Sequence, residues 1–435
     1  MDRNRPGRRM FRRPAATQPV PVSPPAGIPP APRRAGAFAA LAHRNFRLFY
    51  AGQILSLTGT WMQSTALGWL VFELSDSEFL LGAVNAATIL PILLFTLYAG
   101  VVADRLEKRK ILLLAQTAMM VVALVLAVLT GLGAINVGII FALLLLHGTG
   151  SAFEIPTRQA FFVELVGRRD LTNAIALNSS AFNLTRVAGP AAAGVLIGSV
   201  GIAVCFYLNA VSYLAVIAGL LAIRLPPFRR PVRIGSTREH LREGFRYLFS
   251  SRPSRTLVGL VAALSILGLP YLVLMPVFAR DVLGAGAEGL GWLLAASGAG
   301  ALAGGLTLAA YGGRARPGPL LLASAAVFCV LLAGFALSTY FALSLVLLAG
   351  AGFTLILSTA NTNAILQTLV PDELRGRVMS VYVFVFLGLT PVGSLLAGGA
   401  AGWIGAPAAV AVGAVLLLLV VGAVWAYAPS LREVE

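Results

Sequence analysis

The stretch GVVADRLEKRK (100–110) decides the fold. It closes a run of about twenty almost uncharged residues, then sets Asp104 beside Arg105 and places Lys108, Arg109 and Lys110 just behind them. A run of that length stopped by a cluster of cations is the pattern of a helix that crosses a bilayer and ends at its surface.

The pattern recurs along the chain. Of 435 residues, 58% are hydrophobic and 11% charged, and the mean hydropathy is +0.85. Most of the apolar runs have no aqueous face, which excludes a water-soluble core. Bilayers accept only helices or closed barrels, and unbroken runs rather than short alternating ones select helices. Twelve spans are predicted near 48–72, 79–103, 110–131, 136–156, 173–197, 201–223, 256–279, 288–311, 319–338, 341–364, 378–400 and 407–427. This leaves little chain for a soluble domain.

The formal charge of +16 suggests nucleic acid until the cations are placed. The arginines from Arg3 to Arg47 precede the first span, in a Pro-rich stretch without apolar periodicity that reads as a disordered cytoplasmic tail over 1–36. It lacks the design of a cleaved signal and is expected to be retained. It also lacks the interleaved aromatics of a nucleic-acid surface, so attraction to anionic membrane lipid is the simpler account. The remaining cations fall in every second loop, and all but Arg186 and Arg280 of the 33 Lys and Arg residues lie on one side. The positive-inside rule makes that side, with both termini, cytoplasmic. Arginine stands almost wherever lysine could, as in a GC-rich bacterial genome, which points to the bacterial inner membrane.

The chain also repeats itself. Leu165-Val166 and Leu369-Val370 are 204 residues apart, as are Gly189 and Gly393, and each Leu-Val pair leads into a polar loop with two arginines. Six spans (37–223), a basic linker with a predicted amphipathic helix (224–255), six more spans (256–427) and a short tail (428–435) make a transporter of two parallel halves. Between spans 2 and 3, Gly100 would allow close helix approach, and Asp104 could meet a helix N-terminus across the two halves when the cytoplasmic side closes.

Gly100, Asp104, Arg105, Lys108 and Arg109 resemble the G-x-x-x-D-R-x-G-R-R loop of the major facilitator superfamily, with Glu107 in place of its second glycine. FRLFYAGQILSLTGTWMQSTALGWLVFEL (46–74), IPTRQAFFVELV (155–166) and NLTRVAGPAAAG (183–194) resemble the branch that includes enterobactin exporters and macrolide efflux pumps. Gly189, Pro190 and Gly194 match the Gly-Pro signature of drug-proton antiporters in span 5, with Ala193 at one expected glycine. The resemblance implies the all-α major facilitator fold, a gating role for the loop residues, a helix bend at Gly189-Pro190, and export driven by the proton gradient.

Polar side chains inside spans are costly, so they should face a cavity or another helix. His147, Ser151 and Glu154 form one stripe on span 4, with Glu154 and His147 as the groups that could carry protons. Gln53, Trp61 and Gln63 in span 1, Asn85 in span 2, and Asn183 and Arg186 in span 5 are the other predicted cavity residues. Arg186 needs partners for five donors: freed carbonyls at the Pro190 bend, water, or an anionic group on the substrate. Its depth, about 20 Å into span 5, makes an ion pair with Glu154 improbable. Three scattered histidines without H-E-x-x-H and the lack of a phosphate-binding loop give no basis for an intramembrane enzyme or a nucleotide-driven pump. Cys205 and Cys329 sit in apolar runs as small core residues, and no cofactor or metal is implied. The expected partners are a small amphipathic substrate, protons and lipid, and the expected state is a monomer. A lipid or lysophospholipid carrier, or a non-transporting sensor or scaffold, are the alternative readings.

Overall fold

The computed structural model describes residues 36, 38–225, 246–311 and 316–432. The predicted disordered tail and most of the basic linker with its amphipathic helix lie outside the described residues. Among the described residues there are twelve long helices and no strand. The first half comprises α1 (Arg44–Ser75), α2 (Glu78–Arg105), α3 (Lys108–Gly131), α4 (Val137–Val166), α5 (Leu171–Ser199) and α6 (Ile202–Ala222). The second comprises α7 (Arg252–Val282), α8 (Gly286–Tyr311), α9 (Pro317–Leu337), α10 (Phe341–Leu369), α11 (Asp372–Gly388 continuing as Thr390–Ile404) and α12 (Ala406–Tyr427). Ten are long and apolar enough to cross a membrane on composition alone. The other two, α1 and α5, are as long but interrupt their apolar residues with Gln, Asn, Ser, Thr and Arg.

Local signals set the ends. Helix α1 stops at Asp76, whose φ of 49° is a left-handed conformation that Asp tolerates better than most side chains. Ser77 Oγ then accepts from the Leu80 N–H to cap α2, and Asn136 Oδ1 accepts from the Ile139 N–H at 3.0 Å to cap α4. The largest departure from the predicted boundaries is in α4, which does not end at Pro156 but runs to Val166, closed by Gly167 at φ 70°. The extension persists because Phe161, Phe162, Leu165 and Val166 are buried, and Phe46 and Phe49 of α1 meet the two Phe rings edge-on at 5.8–6.2 Å. Helix α7 carries π-type turns at Leu264–Gly268 and Phe278–Val282 and a 3-10 turn at Leu269–Leu272, where Pro270 and Pro276 remove backbone donors.

The halves meet along two seams, α5 on α8 and α2 on α11. A shift of six helices converts one seam into the other, as two parallel repeats require. The symmetry reaches single residues. Gly189 packs on α1 at Thr58 and Trp61, and Gly393 on α7 at Ser265 and Ile266. Gly194 packs against Ala287, Glu288 and Gly291 of α8, and Gly398, 204 residues on, against Glu78 and Phe79 of α2. Gly291 faces the Pro190 carbonyl while Gly82 faces that of Ser394. At the axis itself, Arg280 at the end of α7 pairs with Asp76 at the end of α1, again 204 residues apart. Its guanidinium also lies 3.8 Å from the centre of the Phe72 ring.

These contacts lie toward the end of the molecule that is poor in charge. Toward the arginine-rich end the seam-facing stripes lose burial: Pro190 and Gly194 are buried, Asn183 half-buried, and Ser180 and Ala176 exposed. On α8, Gly291 and Gly298 are buried whereas Gly305 and Ala309 are exposed. On α11, Pro391, Ser394 and Gly398 give way to exposed Leu387 and Ser380. The halves are thus clamped at one end and part toward the other.

Candidate functional site

Between the halves lies a cavity of about 350 Å³, lined by α1, α2, α4 and α5 on one side and α7 and α8 on the other. Its walls differ in chemistry. The first half supplies the polar groups: Thr60, Gln63, Asn85, His147 and Arg186 among them. The second half supplies Leu272, Val273, Pro276, Leu290 and Leu294, with Ser297 as its one hydroxyl. Among the described residues, no carboxylate lines the cavity.

The polar wall is held from behind. Gln63 Oε1 accepts from Asn209 Nδ2 of α6 at 2.8 Å. Asn85 Oδ1 accepts from Ser394 Oγ at 3.3 Å, across the α2–α11 seam. Trp61 stands edge-on to Phe182, ring centres 5.5 Å apart, and can do so because Gly189 lacks a side chain: a Cβ there would lie 2.5 Å from the Trp61 Cβ. Ser297 and Tyr271 share a 3.0 Å hydrogen bond. His147 is buried at 8% exposure, and its Nδ1 has no hydrogen-bond partner among the described residues. For the Arg186 guanidinium, no hydrogen bond or ion pair is found among the described residues.

Of the residues predicted for the cavity, the structure brings Trp61, Gln63, Asn85, Arg186 and also His147 together. Gln53, Ser151 and Asn183 do not line it. Gln53 is buried among helices, with its Oε1 unpartnered. Ser151 Oγ faces Met119 Sδ of α3 at 3.6 Å, and Asn183 Nδ2 donates to the Ser179 carbonyl of its own helix at 2.9 Å. Gln53 and Ser151 turn to neighbouring helices, the other outcome open to a polar side chain in a span, and Asn183 bonds back to its own helix. Glu154 is also away from the cavity. Arg158 Nε holds its carboxylate at 2.7 Å, and the same guanidinium donates to Asn178 Oδ1 of α5 at 3.2 Å. The hydroxyl face of α1 is a part of the wall that the sequence reading missed. Its signal was present as Thr60, Ser64 and Gly68 at i, i+4 spacing, a stripe of small residues among Leu, Trp and Phe.

The loop after α2 ties the first half together. Lys108 Nζ pairs with Glu164 Oε1 of α4 at 2.6 Å, Arg109 Nη2 donates to the Leu221 carbonyl at the end of α6 at 2.9 Å, and Lys110 pairs with Glu107 at 2.9 Å. Glu107 has φ −63°, so nothing in this turn requires the glycine that the superfamily loop has there. Arg105 ends α2, and a Cβ on Gly100 would meet nothing within 4 Å.

A helical bundle of two equivalent halves, with a cavity at their seam and a clamp at one end, defines a membrane carrier rather than an enzyme. The model of the transmembrane secretion effector family matches residues 35–435, and the chain belongs to that family of major facilitator transporters. It is 26% identical to the staphyloferrin A transporter of Staphylococcus aureus over 351 residues, 80% of this chain and 88% of that one. It is 29% identical to the multidrug efflux pump Tap of Mycolicibacterium fortuitum, over 87% of this chain and 94% of the pump. To the enterobactin exporter EntS of Shigella boydii serotype 4 it is 28% identical, over 82% and 85%. Among solved structures, a bacterial homologue of the lysosomal transporter Spinster in its inward-facing, unoccupied conformation superposes with a TM-score of 0.69 at 15% identity, covering 89% of this chain and 98% of that one.

Proposed function

We propose that the protein is a proton-coupled exporter of a small amphipathic molecule, acting as a monomer by alternating access in the bacterial inner membrane, with both termini in the cytoplasm. The observation that carries this reading is the cavity at the seam, clamped at the charge-poor end and flanked by parting helices at the other. The positive-inside rule makes the arginine-rich end cytoplasmic, so this arrangement is the state that loads from inside the cell. The relatives' names supply the direction and the classes of cargo, siderophores and drugs. His147 on the cavity wall and Glu154 behind it are the groups available to couple protons. Asp104, with Arg105 and Arg109, is the element that stabilises the opposite state.

Reconstitution in proteoliposomes tests the proposal. With an imposed pH gradient, a hydroxycarboxylate siderophore, a catecholate siderophore and a macrolide are compared for protein-dependent flux. Gradient-driven movement of at least one is expected, and leakage no faster than from protein-free liposomes for all three would overturn the reading. The apolar wall of the second half favours one second reading, a carrier of single-chain phospholipid, so a lysophospholipid belongs in the same panel.

A further inference from the structure

We infer that the cavity is a site for an amphipathic mono-anion, with the anionic group held by Arg186 and the apolar body laid on the wall of the second half. The inference rests on the reading of this cavity as the transport site, and deepens it by naming the class of substrate.

A guanidinium carries five donors and a charge that no protein environment removes, and away from bulk water it needs acceptors. Three sources of acceptors are at hand within the protein, and none is used. The first is a counter-charge, but no carboxylate of the described residues lines the cavity, and Glu154, one helix away, is committed to Arg158. The second is the helix bend. Pro190 has no N–H, so the carbonyl four residues earlier, that of Arg186 itself, loses its helical donor. That carbonyl faces α8 instead, where a Cβ on Gly298 would lie 3.1 Å from it, and the guanidinium makes no bond to it. The third is the set of neutral acceptors on the wall. Gln63 Oε1 accepts from Asn209, Asn85 Oδ1 from Ser394, and Ser297 and Tyr271 bond each other, and none of these oxygens accepts from the guanidinium.

A cation left without a partner in an otherwise neutral cavity selects its cargo by charge. A carboxylate offers the planar fork two parallel hydrogen bonds, which are stronger than neutral ones and specific in geometry. The unpartnered Nδ1 of buried His147 adds a second polar contact on the same polar wall. A neutral cargo leaves the donors of Arg186 unmet, and a cationic one is repelled with no acid nearby to offset it. Leu272, Val273, Leu290 and Leu294 then receive the apolar remainder.

Three dansyl probes that differ mainly in charge test this on the purified full chain in a non-ionic detergent: dansylglycine (a carboxylate), dansylglycinamide (neutral) and dansylcadaverine (a cation). Binding is read by energy transfer from tryptophan, since Trp61 lines the cavity. The wild type should bind dansylglycine at least tenfold more tightly than the amide, with the cation weakest. Arg186→Gln should bring dansylglycine to the level of the amide while the amide's own affinity stays within about twofold. Equal binding of the three probes by the wild type, no binding of dansylglycine, or preference for the cation would overturn the inference without any variant being needed. Equal loss of all three in Arg186→Gln would also overturn it, by making Arg186 a brace of the fold. The expected ranking without dansylglycine flux in proteoliposomes would support the site and remove the export reading, so the two fail separately.

Discussion

Gly291→Ala tests the clamp at the charge-poor end. The new Cβ would lie 2.6 Å from the Pro190 carbonyl oxygen and 2.8 Å from the Gly194 Cα, where ordinary contact begins at 3.4 Å. Both obstacles are backbone, so no side chain can turn away and α5 and α8 must separate. Overpacking of this kind costs about 1–3 kcal/mol. Only the state clamped at this end makes the contact, so the cost falls on that state and shifts the two-state population by about 5- to 150-fold. Spin labels at Val200→Cys and Trp403→Cys report the distance between the halves there, since both sites are exposed and one lies on each half. The native Cys205 and Cys329 are buried and contribute little labelling. The wild type should give one short distance and Gly291→Ala a second, longer one. Gly198→Ala, on the same α5 with nothing within 4 Å, should leave the distribution unchanged. An unaltered distribution and melting temperature for Gly291→Ala would refute the reasoning.

Arg280→Gln removes the ion pair at the axis; because Asp76 is largely exposed, the clamped state should lose only about 0.5–1 kcal/mol, a two- to fivefold shift in the same spin-label measurement. A shift as large as that of Gly291→Ala would show that the pair, not the glycine seam, is the main clamp. Asp104→Asn should slow substrate turnover with membrane expression intact, and normal flux would remove Asp104 from gating. The double change His147→Ala with Glu154→Gln should give flux that ignores an imposed pH gradient, whereas a full response would place coupling elsewhere.

Much of this architecture was legible because a bilayer leaves a chain few options. Apolar runs and arginine placement located the helices to within a few residues, except where burial by neighbours carried α4 past Pro156. The offset of 204 between Gly189 and Gly393 foretold a symmetry that the packing of Gly194 and Gly398 repeats. On the polar wall, Trp61, Gln63, Asn85 and Arg186 stood out as expensive residues in a span. The opposite wall did not, because Leu272, Val273 and Leu290 are identical in type to residues that face core or lipid. That Gln53, Ser151 and Asn183 lie off the cavity wall was not legible for a related reason: periodicity places a polar group on a face of a helix but does not say which neighbour that face meets.

The polarity of α1 and α5 has a consequence for how the protein is made. A helix threaded singly from the translocation machinery enters the bilayer according to its summed transfer free energy, and these two are the segments that composition alone does not commit to the membrane. Helix α1 is made well before α6, so Gln63 stays unpaired until Asn209 of α6 has been synthesised. Its stable integration therefore waits on α2, whose apolar run follows after only Asp76 and Ser77. Gln63, on the cavity wall, thus also makes α1 depend on a later helix to satisfy its polar group in the membrane.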